Sequence, residues 1–456
     1  MRAVLLSLLL ALPAGAMEFP RPVTDADYRP TDADVVAWGR LLFWDPILSG
    51  NRTVSCGTCH HPAFGTGDGL ALGLGDGGTG LGPDRVADPE NPPERRIPRN
   101  APGLWNLGAH EFTVLFHDGR IEETAAGLRT PMGPEMVAGF ATLLSAQTMF
   151  PVLSADEMAG HYGENEISRA VRQGVITGPD GAWDLLAARV RAVPEYDRMW
   201  RAAFPGDDAL DFTDISDAIA AFVEHEWRSD DAPFDRWLRG EAALAMPALE
   251  GAELFYGALG CAGCHAGPFQ TDHRFHATGA PQIGPGKAAR FEAHARDDGR
   301  FRVTGDPGDR FAFRTPSLRN VTETGPWGHA GAHRDLRDFL RDHAAPRRAL
   351  ARAPRDAALP PLAGAADWRI LDDPMERQAL QLAVRGPDRV LSAGEVEILM
   401  AFLGALRDDR ALAGRSDVPE AVPSGLPVER PRGTAAGAAG DVRRQTANGS
   451  IPSLVR

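Results

Sequence analysis

All four cysteines of the chain fall in two copies of one short pattern. The copies read Cys56-Gly-Thr-Cys59-His60 and Cys261-Ala-Gly-Cys264-His265. Cys-x-x-Cys-His is the attachment sequence of c-type haem, in which both thiols bond to the porphyrin and the histidine is placed to bind the iron. A zinc site or a redox dithiol would explain one copy, but not two copies that use every cysteine. The pattern predicts two covalently bound haem c groups, with His60 and His265 as iron ligands.

The two motifs follow related segments. Gly39-Arg-Leu-Leu42-Phe43 precedes the first motif, and Gly251-Ala-Glu-Leu254-Phe255 precedes the second. Such a repeat predicts two related units, each with a short helix that leads into a haem attachment turn. Further helices are predicted over 166–203, over 211–240 and after the capping box Ser392-x-x-Glu395.

The N-terminus has the features of a secretory signal. Arg2 is followed by an apolar run and then by the small-x-small sequence Ala14-Gly15-Ala16, so residues 1–16 are predicted to be removed on export to the periplasm. The 456-residue chain is 43% hydrophobic and 24% charged, which is typical of a globular protein rather than a multi-span membrane protein. Its formal net charge of -14 argues against a nucleic-acid partner.

Other motifs stand in a fixed order around the two haem signals. They are Leu42-Phe43-Trp44-Asp45-Pro46, Arg99-Asn100-Ala101-Pro102, Asp118-Gly119-Arg120 and Thr315-Pro316-Ser317-Leu318-Arg319-Asn320-Val321. With this order the chain resembles the bacterial dihaem cytochrome c peroxidase family, which includes the MauG enzymes, over about residues 30–406. The resemblance implies a mainly α fold with two cytochrome c-like domains, each carrying one haem.

The resemblance also implies the division of the chain. Residues 17–240 are expected to hold the peroxidatic haem and a helical extension, and residues 241–406 the electron-transfer haem. Residues 407–456 contain little apolar sequence and are predicted to be a disordered tail.

In this family a glutamine and a glutamate ten residues later line the peroxide pocket. Here Gln147-Thr-Met-Phe-Pro151 and Glu157-Met158 have the family's spacings. The resemblance implies that Gln147 and Glu157 are catalytic, and that Glu157 takes a proton from one peroxide oxygen and delivers it to the other. Glu135, in an earlier Pro-Glu-Met, is the alternative, but it has no glutamine at the matching offset.

Two departures from the family pattern concern the sixth position of each iron. Classical members have a histidine in the loop after the first motif that blocks the peroxidatic iron until the enzyme is half-reduced. No histidine lies between His61 and Pro98, so this haem is expected to be open in the resting state, as in the MauG branch. At the second haem the family has Met or Tyr where this chain has His343.

His343 is implied as the distal ligand of the second haem because it lies fourteen residues after the landmark His329. A short helix from Asp335 to His343 would carry it, and imidazole in place of a thioether lowers the haem potential. The open alternatives are His333 as the ligand, or a role for His343 in stabilising the helix dipole.

Three further assignments come from the resemblance. His117 replaces a tryptophan that lies between the haems in the family, and it is either a hydrogen-bonded relay or a packing residue. A calcium site is implied at the Asn100 side chain and the carbonyl oxygens of Thr324 and Pro326, because oxygen ligands suit this cation. Two arginines are candidates to balance the haem propionates, namely Arg314 and Arg319.

These features predict a periplasmic dihaem oxidoreductase that reduces hydrogen peroxide to water. Its electrons would come from a small cytochrome c or cupredoxin through the second haem. The alternative is a MauG-like enzyme that uses peroxide to oxidise side chains of a partner protein. A dihaem electron carrier without peroxide chemistry is a second alternative, although it would not need Gln147 and Glu157.

Overall fold

The computed structural model describes residues 18–288, 292–386 and 388–432. The predicted signal segment 1–16 lies outside this part of the chain. Among the described residues, no helix combines the length and the apolar character needed to cross a membrane.

The structure is mainly helical, which confirms the predicted fold class. The first eight helices are α1 Ala33–Trp44, α2 Cys56–Cys59, α3 Leu143–Thr148, α4 Glu166–Gln173, α5 Ala182–Arg191, α6 Pro194–Ala203, α7 Phe212–Glu226 and α8 Pro233–Leu238. The next eight are α9 Met246–Tyr256, α10 Phe301–Thr304, α11 Leu336–Ala344, α12 Pro346–Arg352, α13 Arg369–Asp372, α14 Pro374–Ala383, α15 Ala393–Ala405 and α16 Asp409–Leu412. The helices predicted from the sequence over 166–203 and 211–240 correspond to α4 to α8.

Short antiparallel strands occupy the connections between helices. They pair β1 Gly78–Thr79 with β2 Val86–Ala87, β3 Val114–Leu115 with β4 Ile121–Thr124, β4 with β5 Gly127–Arg129, and β6 Phe275–His276 with β7 Phe313–Arg314. None exceeds four residues, so helix packing carries the fold.

The repeated Gly-x-x-Leu-Phe segments form equivalent helix crossings. Gly39 in α1 faces α7 so closely that a Cβ there would lie 1.7 Å from the Ala218 carbonyl oxygen. Gly251 in α9 faces α15, where a Cβ would lie 2.2 Å from the Ile398 carbonyl oxygen. At both crossings glycine is required because the helix backbones are in contact. The sequence repeat therefore corresponds to a structural repeat.

The buried apolar side chains form two main cores. One contains residues between Val23 and Trp227 together with Phe269, Ala411 and Val422, and the other contains residues between Phe234 and Leu406. Phe234 of α8 stacks on Tyr256 and meets Phe402 edge-on, so α8 packs with the second core. The domain limits 17–240 and 241–406 remain a prediction. The two cores separate a few residues before residue 240.

The first part of the predicted C-terminal tail is packed against the N-terminal half. Residues 407–432 are described, and they include α16 and the buried Val422. The Ser424 hydroxyl donates to Asp45 at 2.7 Å, and the Thr58 hydroxyl donates to Glu429 at 2.6 Å. The expectation of a disordered tail from residue 407 is therefore wrong for 407–432, because Ala411 and Val422 are buried in the core of the N-terminal half and polar contacts add to this packing. Residues 433–456 lie outside the described part.

We expect Gly39→Ala to destabilise the protein by about 1–3 kcal/mol, because the added methyl group must push α1 away from α7. Gly404→Ala is the matched control, since a Cβ in this exposed position of α15 meets nothing within 4 Å. That change is expected to be neutral or to stabilise the helix by about 0.5–1 kcal/mol. Urea unfolding of both variants measures the difference, and equal stability would contradict the tight crossing.

Candidate functional site

The first Cys-x-x-Cys-His motif forms one helical turn that fixes its histidine. The His60 backbone N–H donates to the Cys56 carbonyl oxygen at 2.9 Å. The His60 Nδ1–H donates to the Thr66 carbonyl oxygen at 3.0 Å. This second bond sets the ring orientation and leaves Nε2 as the nitrogen that can bind a metal.

The second motif repeats this geometry. The His265 backbone N–H donates to the Cys261 carbonyl oxygen at 3.0 Å, and its Nδ1–H donates to the Gln270 carbonyl oxygen at 3.2 Å. None of the four cysteines forms a disulfide. Burial raises the thiol pKa of Cys56 to about 12 and that of Cys261 to about 11. Both turns thus present free thiols beside an oriented imidazole, as covalent haem attachment requires.

His343 lies opposite His265, which fits the predicted pair of axial ligands. The two ring centroids are 6.4 Å apart, with an angle of 63° between the ring planes. Bonds from imidazole nitrogen to a metal are about 2.0–2.1 Å, so a separation of this size is compatible with one metal ion bound by a nitrogen of each ring. Phe339 stacks on the His343 ring and holds it in place.

Two observations bear on the alternatives to His343 as a haem ligand. His333 is buried, its Nε2 lies 2.9 Å from an Asp342 carboxylate oxygen, and its Nδ1 is buried without a hydrogen-bond partner among the described residues, so His333 stays an alternative. His343 has its pKa lowered to about 4 by burial and by His265. A neutral imidazole is the form that binds metal, whereas stabilising a helix dipole would need the charged form.

Glu157 and Gln147 lie on separate turns of the N-terminal half, with a 3-10 turn over Pro151–Leu153 between them. Glu157 belongs to a π-helical turn over Ala155–Ala159, and Gln147 lies in α3. Burial raises the pKa of the Glu157 carboxyl, and the charge of this carboxyl in turn contributes to the raised pKa of the Cys59 thiol. The Gln147 Oε1 atom is buried without a hydrogen-bond partner among the described residues. The competing Glu135 is exposed on a 3-10 turn.

The loop that lacks a histidine packs directly on the turn of Glu157. The Asp76 N–H donates to the Glu157 carbonyl oxygen at 2.8 Å, and a Cβ on Gly75 would lie 2.5 Å from the same oxygen. Arg85 is buried and donates to the carbonyl oxygens of Gly75 and Gly80 at 2.7 and 2.6 Å. Nothing in the sequence identified Arg85 as the residue that clamps this loop.

Among the groups assigned to the region between the haems, His117 is in contact with Asn100. The Asn100 amide nitrogen donates to the Leu70 carbonyl oxygen at 2.7 Å, which leaves the amide oxygen for a cation. The His117 Nε2–H donates to the Asn100 carbonyl oxygen at 3.0 Å, and burial lowers the pKa of His117 to about 4. The peptide bond between Gly325 and Pro326 is cis.

The two arginines predicted near the haem propionates differ in their partners. Arg319 is fully buried in an ion pair with Asp235, so its charge is already balanced. Arg314 donates to the carbonyl oxygens of Phe116 and Thr315, and burial lowers its pKa to about 10. Arg314 is the better candidate for a propionate, because a carboxylate would stabilise its charged form.

The chain is similar to known dihaem proteins. A family model described as di-haem cytochrome c peroxidase matches residues 33–243. The chain is 31% identical to a methylamine utilization protein MauG from Methylorubrum extorquens over 328 residues, which is 71% of this chain and 72% of that protein. It is 32% identical to cytochrome-c peroxidase IdrP1 from Denitromonas iodatirespirans over 345 residues, covering 70% of this chain and 76% of that protein.

Solved structures show the same fold. A MauG-like protein associated with microbial copper homeostasis superposes with a TM-score of 0.57 and 26% identity, covering 89% of this chain and 97% of that chain. A dihaem peroxidase from Burkholderia thailandensis superposes with a TM-score of 0.53 and 21% identity, covering 84% and 88%.

His343→Ala should convert the second haem from six-coordinate low-spin to high-spin, because the imidazole opposite His265 is removed. EPR and optical spectra of the oxidised protein measure this change, and haem content per chain verifies that both haems remain attached. His333→Gln is the matched control and should keep the low-spin signal. Loss of that signal in His333→Gln, with His343→Ala unchanged, would assign the ligand to His333.

Proposed function

The chain belongs to the di-haem cytochrome c peroxidase family, and from this premise we propose that it reduces hydrogen peroxide with Glu157 as acid/base and Gln147 beside it. Membership makes the protein an oxidoreductase that reacts with peroxide and carries two covalently bound haem c groups. The haems supply the redox electrons and the coordination position for peroxide. His60 would hold one haem, and His265 with His343 the other.

The proposal rests mainly on the position of Glu157. The turn that contains Glu157 packs against the loop at Gly75, and Arg85 holds this loop by hydrogen bonds. The Glu157 carboxylate is shielded from bulk solvent, and its charge reaches the thiol of Cys59 beside the proposed iron ligand His60. A carboxylate in this place can accept the proton of one peroxide oxygen and return it to the oxygen that leaves as water. Reduction to water consumes two electrons and two protons per peroxide, so proton delivery is part of each turnover.

Gln147 is proposed to orient the peroxide. Its buried Oε1 atom is unpaired among the described residues, and an unpaired buried acceptor costs about 1–3 kcal/mol. A peroxide hydroxyl that donates to Oε1 would recover this energy. Binding would then place the second oxygen of the peroxide toward the acid/base.

The proposed donor is a small redox protein that reaches the second haem. The attachment turn of that haem is open at Gly260 and Gly263, both exposed. The first turn is covered, since Thr58 contacts Glu429 of the C-terminal segment. The predicted signal sequence supports a periplasmic location for this reaction. Calcium is proposed at Asn100, with the carbonyl oxygens of Thr324 and Pro326.

Oxidation of a partner protein is the second candidate, and His343 favours it. An imidazole ligand favours ferric iron and lowers the potential of the haem. A low potential makes that haem a poor acceptor of electrons from an ordinary cytochrome. Oxidising equivalents would then be directed to a protein side chain instead.

Glu157→Gln should slow the reaction with peroxide by about a hundredfold or more, because the amide cannot exchange a proton. In the unmodified enzyme the rate should fall as the pH drops through the raised pKa of Glu157, since only the carboxylate accepts the proton. Stopped-flow spectra of the oxidised protein mixed with peroxide, recorded across pH, measure both effects. Glu135→Gln is the control and should keep the full rate. An unchanged rate in Glu157→Gln would refute the proposed role.

The fully oxidised protein should react with peroxide without prior reduction, because the loop at Gly75 offers no histidine to block the iron. Optical and EPR spectra after peroxide addition, with and without a reduced small cytochrome c, distinguish the two candidates. Oxidation of two cytochromes per peroxide supports the peroxidase. A long-lived oxidised state that ignores the cytochrome supports partner oxidation. A requirement for one added electron would contradict the open site.

A further inference from the structure

Lys287 is the only lysine of the chain, and it lies on a loop that reaches from the C-terminal half into the N-terminal half. This loop, residues 281–288, follows the second haem motif. The Gly284 N–H donates to the Asp367 carbonyl oxygen at 2.7 Å. A Cβ on Gly284 would lie 2.1 Å from Leu72 Cδ1, so the loop packs tightly on the segment that leads to Gly75.

A single arginine ties this loop to the turn of Glu157. The Arg95 Nε–H donates to an Asp156 carboxylate oxygen at 2.7 Å, and the Arg95 Nη1–H donates to the Ala288 carbonyl oxygen at 3.4 Å. Asp156 precedes Glu157 in sequence, and Ala288 follows Lys287. One guanidinium group therefore binds the side chain of the residue before Glu157 and the backbone of the residue after Lys287.

A second set of bonds ties the loop to the ion pairs between the two halves. The Gln282 Nε2–H donates to the Asp297 carbonyl oxygen at 2.7 Å, and the Asp297 N–H donates to Gln282 Oε1 at 3.0 Å. The Asp297 carboxylate binds Arg99 at 2.6 Å, and Arg99 also contacts Asp118 at 2.7 Å. The loop is thus held at both ends, and Lys287 is enclosed between them.

The charged groups near Glu157 shift its pKa by unequal amounts. Burial raises the pKa of Glu157, the positive charge of Lys287 lowers it, and Arg120 lowers it less. Arg120 is paired with Asp118 at 3.0 Å, so part of its charge is offset. On the other side, Asp156 raises the pKa of Glu157, although Arg95 neutralises that carboxylate. Lys287 is the principal cation that acts on Glu157.

Lys287 is itself partly buried among charged groups. Burial and the charges of Arg120 and Arg99 lower its pKa to about 8, while Glu157 and Asp118 oppose that decrease. The ammonium form therefore predominates at neutral pH, although less completely than for an exposed lysine.

We propose that Lys287 is a positioning residue for peroxide reduction, whose ammonium charge keeps Glu157 ionised so that the carboxylate can accept the peroxide proton. In that step a peroxide O–H bond breaks, an O–H bond forms on Glu157, and the electron pair stays on the hydroperoxide oxygen. This inference rests on the acid/base role proposed for Glu157.

The test uses the oxidised holoenzyme and variants that remove or keep the charge. Lys287→Met and Lys287→Gln are neutral, and Lys287→Arg retains a cation. The second-order rate constant with hydrogen peroxide is measured by stopped flow between about pH 5 and pH 9. In both neutral variants the acid limb of the profile should move to higher pH by about one unit, because an opposite charge no longer favours the carboxylate. Below the limb their rate should be about tenfold lower. Lys287→Arg should keep the limb in place.

Two controls separate charge from structure. Arg129→Gln removes a cation from the exposed hairpin of β4 and β5, where it pairs with Glu122, and should not move the limb. In a Glu157→Gln background, Lys287→Gln should cause no further shift. If Lys287→Met does not retain two haems, the role of the Lys287 charge is tested by comparing Lys287→Gln with Lys287→Arg.

The possible failures can be distinguished from each other. An unshifted limb in the neutral variants, with Glu157→Gln still slow, would overturn the role of Lys287 alone. An equal shift in Lys287→Arg would also overturn it, because shape rather than charge would then be responsible. A full rate in Glu157→Gln would refute the proposed function itself.

Discussion

The ion pair between Arg99 and Asp297 is the constraint on which the arrangement of the two halves depends. Arg99 follows the long loop of the N-terminal half, and Asp297 belongs to the C-terminal half. Burial raises the pKa of the Asp297 carboxyl, but Arg99 brings it down to about 2, so the pair stays charged at neutral pH. Removing one partner would leave a buried charge alone, which costs about 3–5 kcal/mol. The same guanidinium contacts Asp118, and it precedes Asn100 in the chain, so one side chain positions the groups assigned to the region between the haems.

Sequence patterns predicted the parts of the site that lie within a single motif. Each Cys-x-x-Cys-His motif forms a single local turn. The sequence alone therefore predicts that its two thiols and its histidine lie close together. The family's spacing from Gln147 favoured Glu157, which the structure buries, over Glu135, which it exposes, and the proposal of His343 came from its distance to a family landmark. Arg85 and Lys287 could not be predicted in this way. Each acts through a fold that brings separate segments together, and neither belongs to a repeated motif.

The C-terminal segment illustrates the same limit for packing. Residues 407–432 contain few apolar residues, so composition favoured a disordered tail. Ala411 and Val422 are nevertheless buried in the core of the N-terminal half, and polar contacts to Asp45 and Thr58 add to this packing. Glu429 accepts a hydrogen bond from Thr58 inside the first haem motif. The first attachment turn is therefore enclosed, whereas Gly260 and Gly263 leave the second one open to solvent. The two repeated units therefore differ in the residues that cover their haem attachment turns.

This asymmetry extends to the groups that face the two proposed irons. At the second site we propose that His265 and His343 both bind the iron, which would leave no place for a substrate. At the first site the groups proposed to act on peroxide are Gln147 and Glu157. Binding by both imidazoles would lower the potential of the second haem, so electrons would leave that site more readily than they enter it. The electrons come either from a redox protein or from a side chain that becomes oxidised. Which of the two is the source therefore depends more on the potential of the second haem than on the peroxide pocket. The chemistry of that pocket is the same in both cases.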